Sequence, residues 1–149
     1  MCDAGVFAMP KIVSDLLAAS FDGTLTGGAG FGTLTAGAGS DLIVVGPDGG
    51  LVSGGDGRDG VLGSAAADVI WAGKGADTVF GRDGADTIHG QKGANLLFAG
   101  DGNDLITSGD QSSLLYGGDG DDHLVGRMKR GGVHVLEGGA RGRIPSTSC

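Results

Sequence analysis

The chain has 149 residues, 34 of them glycine, and a formal net charge of −8. That balance argues against nucleic acid as a partner and favours the binding of cations. The length suits one domain, and no apolar run is long enough to span a membrane.

Residues 1–26 read as an N-terminal cap. Pro10 is placed to open a short helix over Lys11–Ala19, with Ile12, Val13, Leu16 and Leu17 apolar. Such a helix would cover the first rung of whatever follows, or be the remnant of an upstream domain. The apolar stretch near the start is short and lacks the basic residues that open a signal peptide. Phe21–Thr26 then look like a decayed version of the pattern that begins at Gly27. Leu25 holds its apolar position, and Gly23 stands where an aspartate is expected.

From Gly27 to Val125 the sequence divides, without insertion or deletion, into eleven nonapeptides. Three consecutive units read AGKGADTVF, GRDGADTIH and GQKGANLLF. Position 8 is always aliphatic: Leu34, Ile43, Val52, Val61, Ile70, Val79, Ile88, Leu97, Ile106, Leu115 and Leu124. Position 4 is glycine in eight units, and position 6 is aspartate in seven: Asp41, Asp59, Asp68, Asp77, Asp86, Asp104 and Asp122. Asn95 is an eighth oxygen donor there. One apolar residue in nine is too sparse for a layered core. It suits a solenoid, in which short strands stack and the aliphatic residues form an inner column. Strands of about three residues, with position 8 inward, fit the pattern. The glycines supply turns that need positive φ. The acidic residues comprise 17 Asp and one Glu. That bias points to short carboxylates held close to the backbone, where with glycine-exposed carbonyls they offer the all-oxygen shell that Ca²⁺ prefers.

These columns resemble the RTX, or haemolysin-type calcium-binding, repeat G-G-x-G-x-D-x-U-x. The resemblance covers about two-thirds of the chain. It implies an all-β fold, a right-handed parallel β-roll with two repeats per turn. Turns eighteen residues apart would then stack on one edge, giving one column of Asp41, Asp59, Asp77 and Asn95 and another of Asp68, Asp86, Asp104 and Asp122. Each Ca²⁺ would lie between successive turns of a column, held by aspartate oxygens and backbone carbonyls. The turn glycines Gly39, Gly57, Gly75, Gly84, Gly102 and Gly120 belong to these sites. Four intervals (41/59, 59/77, 86/104 and 104/122) have both residue types on both sides. With the weaker 68/86 and 77/95, about four to six ions are expected. The resemblance also implies secretion, by a type I route with an uncleaved C-terminal signal, and folding on meeting extracellular calcium.

Several units depart from the pattern. Gly32 and Gly50 replace the aspartate in the first and third, and Asp48 replaces the position-4 glycine of the third. Gly63–Asp68 keeps its aspartate but loses two glycines, and Ser108–Ser113 has lost both features. Asp56, Asp83, Asp101, Asp110 and Asp119 at position 3, and Asp121 at position 5, read as solvated turn residues. The outward position 9 gives Val44, Leu62, Phe80, Phe98 and Tyr116 on one sheet. That apolar ladder is placed to meet another domain or a second copy. Ser53, Trp71, His89, Thr107 and Val125 form a more mixed row on the other.

Beyond Val125 the pattern degrades. Gly126–Met128 look like a three-residue insertion, after which Lys129–Glu137 resume with Leu136 inward. Residues 126–149 read as degenerate repeats, with the last dozen expected to be poorly ordered. Five of the ten basic residues lie from Arg127 onward, unlike a type I secretion signal, as truncation or a frame change in a longer protein would explain. Cys2 and Cys149 make no disulfide framework and no zinc spacing. No HExxH or G-x-S-x-G motif is present, and Gly55–Gly60 matches G-x-G-x-x-G without a βαβ context, so no enzyme is expected. The leading reading is a secreted calcium-binding module, alone or attached to a toxin, protease or lipase whose catalytic domain is missing. A structural or adhesive roll is the second, using its outer faces or the pairs Thr24/Thr26 and Thr33/Thr35. A catalytic fragment is the third.

Overall fold

The computed structural model describes residues 22–126, together with the backbone of three strands outside them, Val6–Ala8, Asp15–Leu17 and Val135–Glu137. Every regular element described is a strand. In chain order they begin with β1 (Val6–Ala8), β2 (Asp15–Leu17), β3 (Thr24–Thr26), β4 (Gly32–Ala38) and β5 (Leu42–Val44). Next come β6 (Gly50–Asp56), β7 (Gly60–Leu62), β8 (Val69–Trp71), β9 (Thr78–Asp83) and β10 (Thr87–His89). The last are β11 (Leu96–Asp101), β12 (Leu105–Thr107), β13 (Leu114–Asp119), β14 (His123–Val125) and β15 (Val135–Glu137).

Odd-numbered strands form one parallel sheet and even-numbered strands the other, each in sequence order. Ile88 of β10 pairs with Ile70 of β8 on one side and Ile106 of β12 on the other. One turn of this β-solenoid is therefore two nonapeptides, one for each sheet. The repeat dictates this register, because any other offset would move the aliphatic residue out of the column it shares with its neighbours.

In the short strands the centre is buried and its flanks are partly or fully exposed. Ile43, Val61, Val79, Leu97 and Leu115 line one sheet, and Val52, Ile70, Ile88, Ile106 and Leu124 the other, all at most 1% exposed. The core is richer than one residue in nine. Position 1 also faces inward, with Ala36, Ala72 and Ala99 buried, and the position-6 aspartates close it at either edge. Several strands run on past the predicted three residues into the next turn, as in β9 and β11.

The helix expected over Lys11–Ala19 is not formed where the chain is described. Asp15–Leu17 are β2, paired with β4 through Leu16↔Leu34, and β1 pairs with β3 through Phe7↔Leu25. The remainder of that segment lies outside the described residues. A helix this short is marginal by itself, whereas a strand in register gains a full ladder of bonds from a preformed edge. At the other end Leu136 pairs with Leu115, three residues further on than the regular spacing, as the inserted tripeptide requires. The last dozen residues lie outside the described residues.

Candidate metal centre

The two turns of each rung begin at position 1 and end at position 6. Glycine at positions 2 and 4 gives them their shape, as at Gly55 (φ 102°) and Gly57 (φ 149°). A Cβ on Gly57 would be driven into the carbonyl oxygen of Gly39 one rung away. Position 4 is thus glycine for two reasons, its backbone angle and the close approach of the neighbouring turn. The other predicted glycines, Gly39, Gly75, Gly84, Gly102 and Gly120, also have positive φ.

The position-6 side chains fall into the two predicted columns, and hydrogen bonds show how. On one edge the N–H groups of Gly23, Asp41 and Asp59 donate to Oδ1 of Asp41, Asp59 and Asp77, each at 2.9 Å. On the other, the N–H groups of Gly50, Asp68, Asp86 and Asp104 donate to Oδ1 of Asp68, Asp86, Asp104 and Asp122 at 2.7–3.0 Å. One carboxylate oxygen thus ties each rung to the one before it.

The second oxygen has a different fate. Oδ2 of Asp41, Asp59, Asp77, Asp86, Asp104 and Asp122 is buried and has no hydrogen-bond partner. A Cβ placed on Gly54 would meet Asp59 Oδ2 at 2.8 Å and the carbonyl oxygen of Ala72 closer still. At Gly81 the same point lies between Asp86 Oδ2 and the Ala99 carbonyl. Two acceptors therefore face one small gap between rungs. An unpaired buried charge is strongly unfavourable, so such a gap calls for a proton or a cation. Burial accordingly pushes Asp86 up to about 7 and Asp77 and Asp104 to about 6, and it raises Asp41 and Asp59 as well. The N–H bonds at Oδ1 pull each of them the other way.

This donor set suits a hard cation. Successive carboxylates are a full rung apart, and among the described residues no three His, Cys, Asp or Glu side chains gather as a cluster. The other ligands of any bound ion must then be backbone carbonyls, which fits Ca²⁺ and not zinc.

Asp68 and Asn95 join their columns but differ at the second atom. Asp68 Oδ2 accepts from the Ser64 N–H at 2.8 Å and from Ser64 Oγ at 3.2 Å. Asn95 Oδ1 accepts from the Asp77 N–H at 2.9 Å, while its Nδ2 donates to the Gly90 carbonyl at 2.7 Å. In the next rung Ser113 Oγ accepts from the Asn95 N–H at 3.1 Å. Ser64 and Ser113 were not singled out in the sequence. Their only signal is that each falls where the pattern asks for glycine or aspartate.

Most position-3 aspartates are exposed, but Asp56 takes an ion pair from Lys74 at 2.7 Å. Asp110 is half-buried and accepts from the Gly93 N–H at 3.0 Å, so it is more than a solvated turn residue. His89 is half-buried and stacks on Trp71 with ring centroids 6.0 Å apart. On the opposite sheet Phe80 stacks on Phe98 at 5.0 Å, and Phe98 on Tyr116 at 4.7 Å. The threonine pairs at 24/26 and 33/35 fall on different sheets and form no shared row.

Among known families, the RTX calcium-binding nonapeptide repeat matches in four copies, over residues 18–50, 53–88, 80–115 and 98–127. No curated protein matches the chain. The family matches cover well over half of the sequence, and the chain belongs to the RTX calcium-binding nonapeptide repeat family: it is a calcium-binding repeat module built as a β-roll.

Proposed function

We propose that this module folds when it meets the calcium found outside a cell, and that the ions lie between rungs at the intervals 41/59, 59/77, 86/104 and 104/122. The observation that carries this reading is the set of six buried, unpartnered Oδ2 atoms. The proposed ligands are Asp41, Asp59, Asp77, Asp86, Asp104 and Asp122, with carbonyls of the turns that contain Gly39, Gly57, Gly75, Gly84, Gly102 and Gly120. When bound, calcium supplies the positive charge that these oxygens lack. The chain's own contribution is to hold them: Oδ1 is pinned by an N–H, which aims Oδ2 into the gap.

The ligands of one site come from turns that only folding brings together. Binding free energy is then folding free energy, and calcium stabilises the roll by mass action. Low cytosolic calcium would leave the chain unfolded and fit for export, and calcium outside would fold it. Among the described residues no helix is long and apolar enough to cross a membrane. The role proposed is binding and structural rather than enzymatic, in a secreted, extracellular setting.

The test is far-UV circular dichroism of the whole chain during calcium titration, with magnesium as control. A disordered spectrum that turns cooperatively to β under calcium alone is expected. Asp59→Ala and Asp104→Ala should each weaken the transition by removing a ligand and a rung-to-rung bond together. A β spectrum already complete in chelator would overturn the coupling.

The aromatic ladder supports a second reading, contact with another copy or domain. Leu62, Phe80, Phe98 and Tyr116 line up on successive rungs about 4.8 Å apart, and Phe80 is 43% exposed. Phe80→Glu with Phe98→Glu should lower self-association in sedimentation or raise solubility. If both stay unchanged, the ladder is only cross-strand packing.

A further inference from the structure

We infer that Ser64 and Asn95 replace the ion in their own turns, so that cations load along a diagonal: on one edge of the N-terminal rungs and on the opposite edge of the C-terminal rungs. This rests on the calcium reading above and specifies where it stops.

The atoms that define a site occur in every turn, and what differs is the partner of one of them. A Cβ on the first residue of the turn would meet Asp59 Oδ2 at 2.8 Å at Gly54, Asp68 Oδ2 at 2.8 Å at Gly63, and Asn95 Nδ2 at 2.9 Å at Gly90. These three atoms hold equivalent places. At Asp59 the atom is an acceptor facing another acceptor. At Asn95 it is a donor, and it bonds the Gly90 carbonyl directly. The amide nitrogen also fills the gap, since a Cβ on Gly109 of the next rung would lie 3.0 Å from it. At Asp68 the acceptor remains but is satisfied by two donors of Ser64. Ser64 lacks the positive φ found at Gly55, Gly73 and Gly100, and this turns its N–H inward to the carboxylate. Its hydroxyl also bridges to the backbone of Ala66, donating to the carbonyl and accepting from the N–H, both at 3.0 Å.

The unpartnered oxygens therefore have an order. Asp41, Asp59 and Asp77 occupy one edge, and Asn95 and Ser113 continue it without an orphan. Asp86, Asp104 and Asp122 occupy the other edge, preceded by Gly32, Gly50 and the closed Asp68. The two edges carry orphans together only at the central rung, Asp77 and Asp86. Elsewhere each rung has one edge that calls for a cation and one that is complete without it. Intervals 68/86 and 77/95 are the ones interrupted, each by a single side chain.

Asn95→Asp would turn the donor into an acceptor and complete the pair with Asp77. Ser64→Gly would remove the hydroxyl, permit positive φ and free Asp68 Oδ2. Calorimetric titration with CaCl₂ on the full chain should give one more ion per chain for each variant than for the wild type. In chelator, Asn95→Asp should also exchange amide hydrogens faster around Gly90 and Gly109. If the wild type binds calcium and neither variant gains an ion, the inference is overturned while the calcium reading stands. If Asn95→Asp does not fold even in calcium, Ser64→Gly alone decides by its stoichiometry. A wild type that binds no calcium overturns both.

Discussion

In Asp86 the two carboxylate oxygens are chemically unequal. Oδ1 is bonded to the Asp68 N–H, and Oδ2 is left in a dry gap. Burial lifts its pKa to about 7, with Asp77 and Asp104 at about 6, all above the model value of 3.8. A carboxyl whose folded pKa is raised binds more protons folded than unfolded at intermediate pH. Its contribution to stability is present in full below the unfolded pKa and is lost as pH rises through the folded one. In chelator the roll should therefore lose stability between about pH 4 and pH 7, as read by its urea midpoint. With saturating calcium the ion takes the proton's place, and that decline should disappear. Calcium binding at pH 6 should release protons, and binding at pH 8 should release almost none. A chelated midpoint that is flat or rises over this window would mean that the buried oxygens find water. Position 6 was legible as a ligand column because one residue type recurs there. The division of labour within each carboxylate was not, because it depends on which N–H of the previous rung lies near. For the same reason Asn95 read as an oxygen donor, and its amide nitrogen became decisive only once the Gly90 carbonyl was placed beside it.

At the level of single strands, spacing predicted more than local propensity did. The apolar run at Ile12–Leu17 suggests a helix when read locally, yet Leu16 stands at the register position set by Leu34 and joins the sheet. Nothing in its neighbourhood signals this, because the glycine and aspartate turns that mark later strands are missing there. The return of the pattern at Leu136 was legible because one aliphatic residue and the length of an insertion suffice to set the register. Position 1 was overlooked as a core position, although from Gly27 to Gly117 it holds only Gly, Ala, Ser and one Val. A column of small residues is the mark of close stacking, but read as sequence it looks like turn composition. Arg82 (φ 85°) and Gln91 (φ 57°) occupy turn positions where most units have glycine. Each holds a left-handed backbone at a cost of about 1–2 kcal/mol. Neighbouring rungs fix the turn so firmly that sequence can drift at this position without changing its shape.

For the whole molecule two kinds of repulsion oppose the roll, and they respond differently to salt. The exposed aspartates at Asp83, Asp101 and Asp119 lie on successive rungs of one edge and contribute to the formal −8. At about 1 M NaCl the screening length is about 3 Å, so this part of the repulsion should vanish. The buried Oδ2 atoms are not screened in that way. They need an ion within ligating distance or a proton, and a hydrated monovalent ion meets that need poorly. Small-angle scattering in chelator should thus show a chain expanded toward a radius of gyration of about 40 Å, slightly contracted by NaCl and compacted only by CaCl₂. Four divalent ions would cancel the formal charge as well, but cancellation alone should not fold the chain, because it leaves the gaps between rungs unfilled. If NaCl compacts the chain as fully as calcium does, the obstacle is the surface charge and not the dry oxygens. The calcium dependence of the roll would then be general electrostatics instead of coordination between rungs.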